Sequence, residues 1–187
     1  MDINLGKKLI DQKKYKEALS FFLSEIDKGN KSIRSYFLLG SIYFKLNKIE
    51  DSIYYYKLAL KIDPNSINII LSLANACYVI GKSLDAKNLY LKAIKLNKND
   101  PRSYYGLYLL DQNNLTDENI SLLNDLKNRD LPLNESYLVE YLLSKIAKKE
   151  KKYDRELDLL NNFQKQCFKL RSEFNFQGLF YYNKIIS

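Results

Sequence analysis

The chain contains no histidine and no tryptophan. Without histidine it lacks the usual general base near neutral pH and the commonest metal ligand. Its two cysteines, Cys77 and Cys167, lie 90 residues apart, so neither a paired-cysteine metal site nor a disulfide framework is expected. Six glycines and three prolines in 187 residues are too few for the many turns of a β-sandwich or barrel. Arginine is scarce as well, 5 of the 30 basic residues. No apolar run reaches the roughly 20 residues that span a bilayer, and the most apolar stretch, Ile67–Ile80, carries Asn68 and Asn75. The opening MDINLGKKLI has no apolar core after its charges, so no signal peptide is expected there and a cytoplasmic location is.

The residues that are present make an ordinary folded composition. A hydrophobic share of 46% is enough to bury one sizeable core in a chain of this length. The net charge of +8 raises nucleic-acid binding as a candidate. The excess is lysine, however, and it accompanies 19 asparagines and 17 isoleucines, the residues an AT-biased coding sequence favours. Arginine is the residue that forks onto phosphate and guanine edges, and its scarcity argues against a nucleic-acid partner.

One period organises the chain. Leu5, Leu39, Leu73 and Leu107 are spaced by 34. The next residues are small, Gly6, Gly40 and Ala74, until Tyr108 breaks the column. In the same register lie Ala18, Ser52 and Ala86, then the aromatics Phe22, Tyr56 and Tyr90, then Glu25, Ala59 and Ala93, and finally Ile26, Leu60 and Ile94. A small residue on one helix admits close approach of the next, and a large aromatic fills the adjoining gap. Each unit therefore reads as two helices of about 14 residues joined by a tight turn, and neither helix can bury its stripe alone. Helix starts are expected at Ser32–Ser35 and at Asp100–Pro101, and turns at Asn47–Lys48, Asp63–Asn65 and Gly81.

Leu38–Ser66, LLGSIYFKLNKIEDSIYYYKLALKIDPNS, resembles the tetratricopeptide repeat (TPR) family in its small, aromatic and closing Asp-Pro positions. The resemblance covers residues 1–110, with units at about 1–32, 33–66 and 67–100 and the first helix of a fourth. It implies an all-α, right-handed superhelical solenoid of antiparallel helix pairs, about ten helices in all. Over 111–187 the register degrades into TPR-like helices and a C-terminal cap. Thr116 is expected to cap a helix, Leu131-Pro132-Leu133 to break the chain, and two further helices to start near Asn134 and Tyr153. The order of a short helix, Leu131-Pro132 and a helix pair containing KKYDRELDLLNNFQKQ is similar to the TPR region of bacterial TPR–sulfotransferase proteins. That resemblance implies the recognition arm of a sulfotransferase-like enzyme whose catalytic domain is absent from this chain.

Local chemistry adds no catalytic centre. Gly81-Lys82-Ser83 matches the tail of a phosphate-binding loop, but Ala76 stands where that motif needs its first glycine, and the tripeptide falls on an expected helix–helix turn rather than after a strand. Carboxylates are scattered over helix surfaces and no nucleophile–base pair stands out. Cys77 reads as a small buried hydrophobe. The run Lys145–Lys152 reads as a solvated turn, and Tyr43, Tyr55, Tyr56 and Tyr90 as packing residues. No enzyme activity, cofactor, metal or small-molecule substrate is expected.

In TPR proteins the first helix of each repeat lines the concave face, and the resemblance implies groove positions spaced i, i+3, i+7 and i+10. These are Ile3, Lys7 and Ile10 in the first unit and Arg34, Phe37, Ser41 and Phe44 in the second. The third unit supplies Asn68, Leu71, Asn75 and Tyr78, and the fourth Arg102, Tyr105, Leu109 and Gln112. Phe37, Phe44, Leu71, Tyr78 and Tyr105 would make an aromatic groove, with Asn75 holding a ligand backbone and Lys7, Arg34 and Arg102 nearby. Such a groove suits a peptide or protein segment with apolar anchors and acidic groups, which makes the chain a non-catalytic interaction module or scaffold. A carboxylate clamp for chaperone tails is incomplete, since Phe37 and Leu71 replace polar residues. The alternative is that the C-terminal helices fill the groove. The last fourteen residues, FNFQGLFYYNKIIS, include Phe174, Phe176, Phe180, Tyr181 and Tyr182 and are a second candidate contact surface.

Overall fold

The computed structural model describes residues 3–173, so the aromatic C-terminus named above lies outside the described residues. Ten α-helices and one 3₁₀ turn account for most of the described chain, and no strand occurs among the described residues. The helices fall into two compact units. The first holds α1 (Ile3–Asp11), α2 (Tyr15–Asp27), α3 (Ile33–Lys45), α4 (Ile49–Ile62), α5 (Ile67–Val79) and α6 (Ser83–Leu96), together with the short stretch Leu109–Gln112. The second holds Asn99–Tyr108, which is most of α7 (Pro101–Leu110), and then α8 (Asp117–Lys127), α9 (Leu133–Lys149) and α10 (Tyr153–Glu173). The 3₁₀ turn, Gln112–Asn114, stands where the 34-residue register is lost.

In the first unit each helix packs on the next, and α3 also meets α5. The 34-residue columns are the core. Ala18, Ser52 and Ala86 are fully buried, as are Ala59 and Ala93, and Phe22, Tyr56 and Tyr90 are at most 3% exposed. The small column works as its chemistry demands. A Cβ added at Gly40 would sit 2.5 Å from two carbons of the Tyr56 ring, and one at Gly6 would collide with Phe22. Leu39, Leu73 and Leu107 are buried, but Leu5, on the first described helix, is 47% exposed.

The turns inside the repeats share one geometry. Lys13, Asn47 and Gly81, again 34 apart, all have positive φ, between 58° and 76°. Each donates its N–H to the carbonyl three residues back, and the following residue donates five back (Lys14 to Leu9, Lys48 to Tyr43, Lys82 to Cys77). This left-handed closure satisfies the last carbonyls of the first helix and reverses the chain. Lys151 repeats it between α9 and α10, with φ 59° and Lys152 N–H on the Ala147 carbonyl. Gly81-Lys82-Ser83 is therefore a helix-closing turn. Glu25 replaces the alanine of its column by working at the chain's exit from α2: its carboxylate accepts from Lys28 Nζ at 3.1 Å and Asn30 Nδ2 at 2.7 Å.

The expected starts are present. Ser32 accepts from the Ser35 N–H at 3.1 Å, and Thr116 forms a reciprocal capping box with Asn119. In the second unit α9 packs on both α8 and α10. Its buried face is Leu138, Val139, Leu142 and Leu143, and α10 contributes Leu159, Phe163 and Cys167.

Candidate functional site

The stripe Arg34, Phe37, Ser41 and Phe44 lies along one side of α3, at 100° per residue, away from the buried Ser35, Leu39 and Ile42. Arg34 is exposed, and Phe37, Ser41 and Phe44 are half-buried. Apolar rings that are neither core nor fully solvated are what a ligand-binding face offers. The Phe37 ring lies 5.9 Å from that of Tyr56, so it is anchored to the core as well as presented. Ser41 Oγ donates to the Phe37 carbonyl at 2.9 Å and accepts from the Tyr56 hydroxyl at 3.3 Å.

On the neighbouring α5, Tyr78 and Asn75 are half-buried and Leu71 is buried, at 6% exposure. Asn75 is held by the repeat itself: its Oδ1 accepts from the Tyr90 hydroxyl at 2.6 Å. Ser41 and Asn75 occupy one column of the repeat and Tyr56 and Tyr90 another, 15 residues on. In the second and third repeats the second helix thus sends a tyrosine hydroxyl up to fix a polar group on the face of the first. Burial raises the Tyr56 phenol above its ordinary pKa, offset in part by the bond to Ser41, so the hydroxyl keeps its proton at physiological pH. Lys7, on α1, is exposed.

Of the four positions expected from the fourth repeat, Leu109 and Gln112 fall in the first unit, whereas Arg102 and Tyr105 lie in the second and are engaged there. Arg102 clamps Asp100: Nε lies 2.9 Å from Oδ1 and Nη2 2.6 Å from Oδ2, while the Arg102 backbone N–H also donates to Oδ1. Asp100 is 3% exposed, so this pair caps and charges the start of α7. Tyr105 is 7% exposed, with the Tyr141 ring of α9 edge-on to it at 6.0 Å. Tyr141 meets Tyr108 in the same way at 6.3 Å. In the second unit α9 thus covers Tyr105, and on α5 Leu71 is itself buried.

The other candidates resolve locally. Lys149 donates to Asn113 at 2.7 Å, Lys152 lies 2.9 Å from Glu150, and the Lys145 ammonium sits 4.9 Å from the centre of the Tyr141 ring. Cys77 and Cys167 are buried thiols, and burial pushes the Cys167 thiol up to about 11. Among the described residues no cluster of three or more His, Cys, Asp or Glu side chains is placed to hold a metal, and no helix is long and apolar enough to cross a membrane.

With this geometry in hand, comparison with known proteins supplies the context. The sequence model of the tetratricopeptide repeat matches residues 33–66, the unit formed by α3 and α4. A human relative, protein O-mannosyl-transferase TMTC2, is 30% identical over 97 residues, which is 50% of this chain and 12% of the relative. The chain therefore spans about an eighth of that protein's length. Among solved structures, MamA superimposes with a TM-score of 0.68 at 18% identity, over 93% of this chain and 99% of that one. YrrB, described as a TPR protein with an unusual peptide-binding site, gives 0.62 at 17% identity, over 88% and 84%. The first TPR domain of Spaghetti (RPAP3), solved with an HSP90 peptide, gives 0.56 at 22% identity, over 59% and 87%. The fold is that of TPR solenoid proteins, and residues 33–66 are a tetratricopeptide repeat.

Proposed function

We propose that this chain is a non-catalytic interaction module whose α3 and α5 faces take a peptide or protein segment. The observation that carries the reading is the half-buried apolar stripe Phe37, Phe44 and Tyr78 beside the exposed Arg34. Phe37 also packs on Tyr56, and Phe44 and Tyr78 extend the apolar stripe as half-buried rings. Two proteins of the same fold, YrrB and the RPAP3 domain, have peptide sites, which supports the assignment to a peptide ligand. Ser41 and Asn75, fixed by the Tyr56 and Tyr90 hydroxyls, are rigid polar contacts along the ligand. Arg34 and Lys7 favour acidic side chains or a carboxylate. A modest face of this size corresponds to a Kd of about 1 μM, or about −8 kcal/mol.

Selection of a random peptide library on the immobilised protein tests this. The expected result is a family of sequences with spaced apolar anchors and acidic neighbours. Phe44→Ala with Tyr78→Ala should weaken binding at least tenfold with far-UV circular dichroism unchanged, and Arg34→Glu should weaken acidic ligands in particular. Phe37 is avoided as the diagnostic residue because its ring also supports Tyr56. Ligands indifferent to all three changes would place the site elsewhere.

A second reading, the arm of a larger enzyme, draws support from the TMTC2 match, in which a TPR segment belongs to a transferase. Sequencing the gene through and past the Ser187 codon tests it. A continuing frame into a catalytic domain supports the arm, whether of the sulfotransferase type or another, and a stop codon there removes it.

A further inference from the structure

The second repeat departs from its neighbours on a side of α3 and α4 distinct from the proposed peptide face. Tyr36 and Tyr43 precede Phe37 and Phe44 by one residue each and so sit about 100° round α3 from them. Their rings flank that of Tyr55 on α4, Tyr36 at 6.3 Å and Tyr43 stacked at 5.3 Å, and the Tyr54 ring stands edge-on to Tyr55 at 5.2 Å. Tyr36, Tyr43 and Tyr55 are half-buried and Tyr54 is 58% exposed. Tyr43 and Tyr55 also rest on the core shared by the first two repeats, which holds the cluster in place. One repeat away on either side, the position of Tyr54 holds Ser20 and Asn88, that of Tyr55 Phe21 and Leu89, and that of Tyr43 Leu9 and Cys77. The helix pairs therefore pack without a phenol at any of these three positions.

Charge marks what such a patch accepts. Glu50 and Asp51, exposed in the first turn of α4, precede Tyr54 by four and three residues, the spacings that bring side chains together on a helix. Burial first, then the neighbouring tyrosines and Asp51, push the Tyr55 phenol up to about 12, and burial followed by Asp51 raises that of Tyr43. These two phenols stay neutral, and the negative charge of the patch belongs to the two carboxylates. Among the described residues neither carboxylate enters an ion pair, and no basic side chain lies over the four rings. Of the nearest cations, Lys48 stands before the pair as the N-cap of α4, and Lys57, one turn beyond Tyr54, acts on Cys77 of α5.

We propose that this tyrosine patch is a further interaction surface, and that its occupant is an arginine-bearing segment of a partner protein. A guanidinium is planar and weakly hydrated, stacks on aromatic faces and forks onto carboxylates. Tyr54 offers the face, and Glu50 and Asp51 the acceptors. A lysine ammonium would meet the charge but not the plane. The chain's net charge of +8 repels cations at long range, so capture of such a segment requires a local site of this kind. The neighbouring repeats carry the acidic position without the rings. Glu17 and Asp85 stand one repeat to either side of Asp51, beside Ser20 and Asn88.

A fluorescein-labelled peptide of alternating arginine and glycine, titrated with the full chain and read by anisotropy, tests this. Tyr54→Ala and, separately, Glu50→Gln with Asp51→Asn should each weaken binding by about fivefold or more, and added salt should weaken it further. Citrulline in place of arginine, planar but neutral, should abolish binding, and lysine should weaken it severalfold. Asp85→Asn, at the same helix position in a repeat without the tyrosines, should leave affinity unchanged, as should Phe44→Ala with Tyr78→Ala on the proposed peptide face. Urea midpoints show that each variant is folded. No binding of the arginine peptide, binding indifferent to Tyr54→Ala, or equal sensitivity to Asp85→Asn overturns the proposal. Capture of a proline-rich peptide without cations, lost in Tyr54→Ala while the arginine peptide is ignored, overturns it in favour of a polyproline ligand. Self-association of the wild type that Tyr54→Ala removes overturns it in favour of a second copy.

Discussion

Gly40→Ala tests the packing rule on which the repeat rests, because two known effects oppose each other at one atom. Alanine is favoured over glycine inside a helix by about 1 kcal/mol, so on propensity alone the substitution stabilises α3. The structure predicts the reverse. The new Cβ would stand 2.5 Å from two carbons of the Tyr56 ring, whereas such contacts are comfortable near about 3.5–4.0 Å. Relief requires the ring to retreat by about 1 Å. Tyr56 is 3% exposed, bonded to Ser41 and packed beside Phe37, so retreat disturbs both neighbours. Overpacking of this kind costs about 1–3 kcal/mol, leaving a net loss of about 0–2 kcal/mol after the propensity gain.

Urea unfolding followed by far-UV circular dichroism measures this, in a cycle of wild type, Gly40→Ala, Tyr56→Leu and the double variant. The leucine removes the ring that the methyl group meets. In that background Gly40→Ala should become neutral or stabilising, giving a coupling of at least about 1 kcal/mol. A Gly40→Ala variant as stable as wild type, with no coupling to position 56, would refute the assignment of the small column to close helix approach.

Lys151→Gly and Lys13→Gly should each stabilise by about 0.5–1 kcal/mol, because glycine adopts positive φ without the Cβ penalty, while Gly81→Ala at φ 76° should destabilise; urea midpoints of the three read this directly. Burial holds the Cys77 and Cys167 thiols protonated, so a disulfide reagent at pH 8 should label the folded protein slowly and both thiols rapidly in denaturant. Burial also lifts the Glu140 carboxyl above its ordinary range, with Lys127 at 3.8 Å lowering it only in part. The folded chain then holds that proton to higher pH than the unfolded one, so this group's contribution to stability falls as pH rises from about 4.3 through the raised value. Glu140→Gln should remove that decline, and urea midpoints from pH 4 to 7 measure it.

What was legible in the sequence is what recurs. Columns of leucine, small residue and aromatic at 34-residue spacing state the helix pair, the close approach and the filler, and the structure buries nearly all of them. The αL turns were legible at Asn47 and Gly81, residues that tolerate positive φ, and silent at Lys13 and Lys151, where the helix geometry imposes it on a lysine. The tyrosine bonds to Ser41 and Asn75 were also available, since both pairs keep one spacing in two repeats. The fate of the fourth stripe was not. Tyr105 is covered by Tyr141, 36 residues on and off the repeat register, and periodicity carries no information about a contact that occurs once. Arg102 is expected near the groove because it takes the same repeat position as Arg34 and Asn68. In the structure the same Asp100 serves both the helix start and the guanidinium.

The same distinction locates function. Positions that obey the period are consumed by packing, and a surface for a ligand can form only where a residue departs from what packing requires. Phe44 and Tyr78, the rings on which the proposed function rests, are half-buried on their helices. Tyr153, Leu157 and Phe168 are another kind, residues that keep the apolar character of the register where no further helix among those described covers them. In the function proposed above the first set meets a ligand from outside, so Phe44→Ala with Tyr78→Ala should weaken a selected peptide at least tenfold, whereas Leu157→Asp with Phe168→Asp, at exposed apolar positions of α10, should leave its affinity unchanged. Titration of a labelled peptide measures both, and a loss of affinity only in the second pair would refute the assignment to α3 and α5.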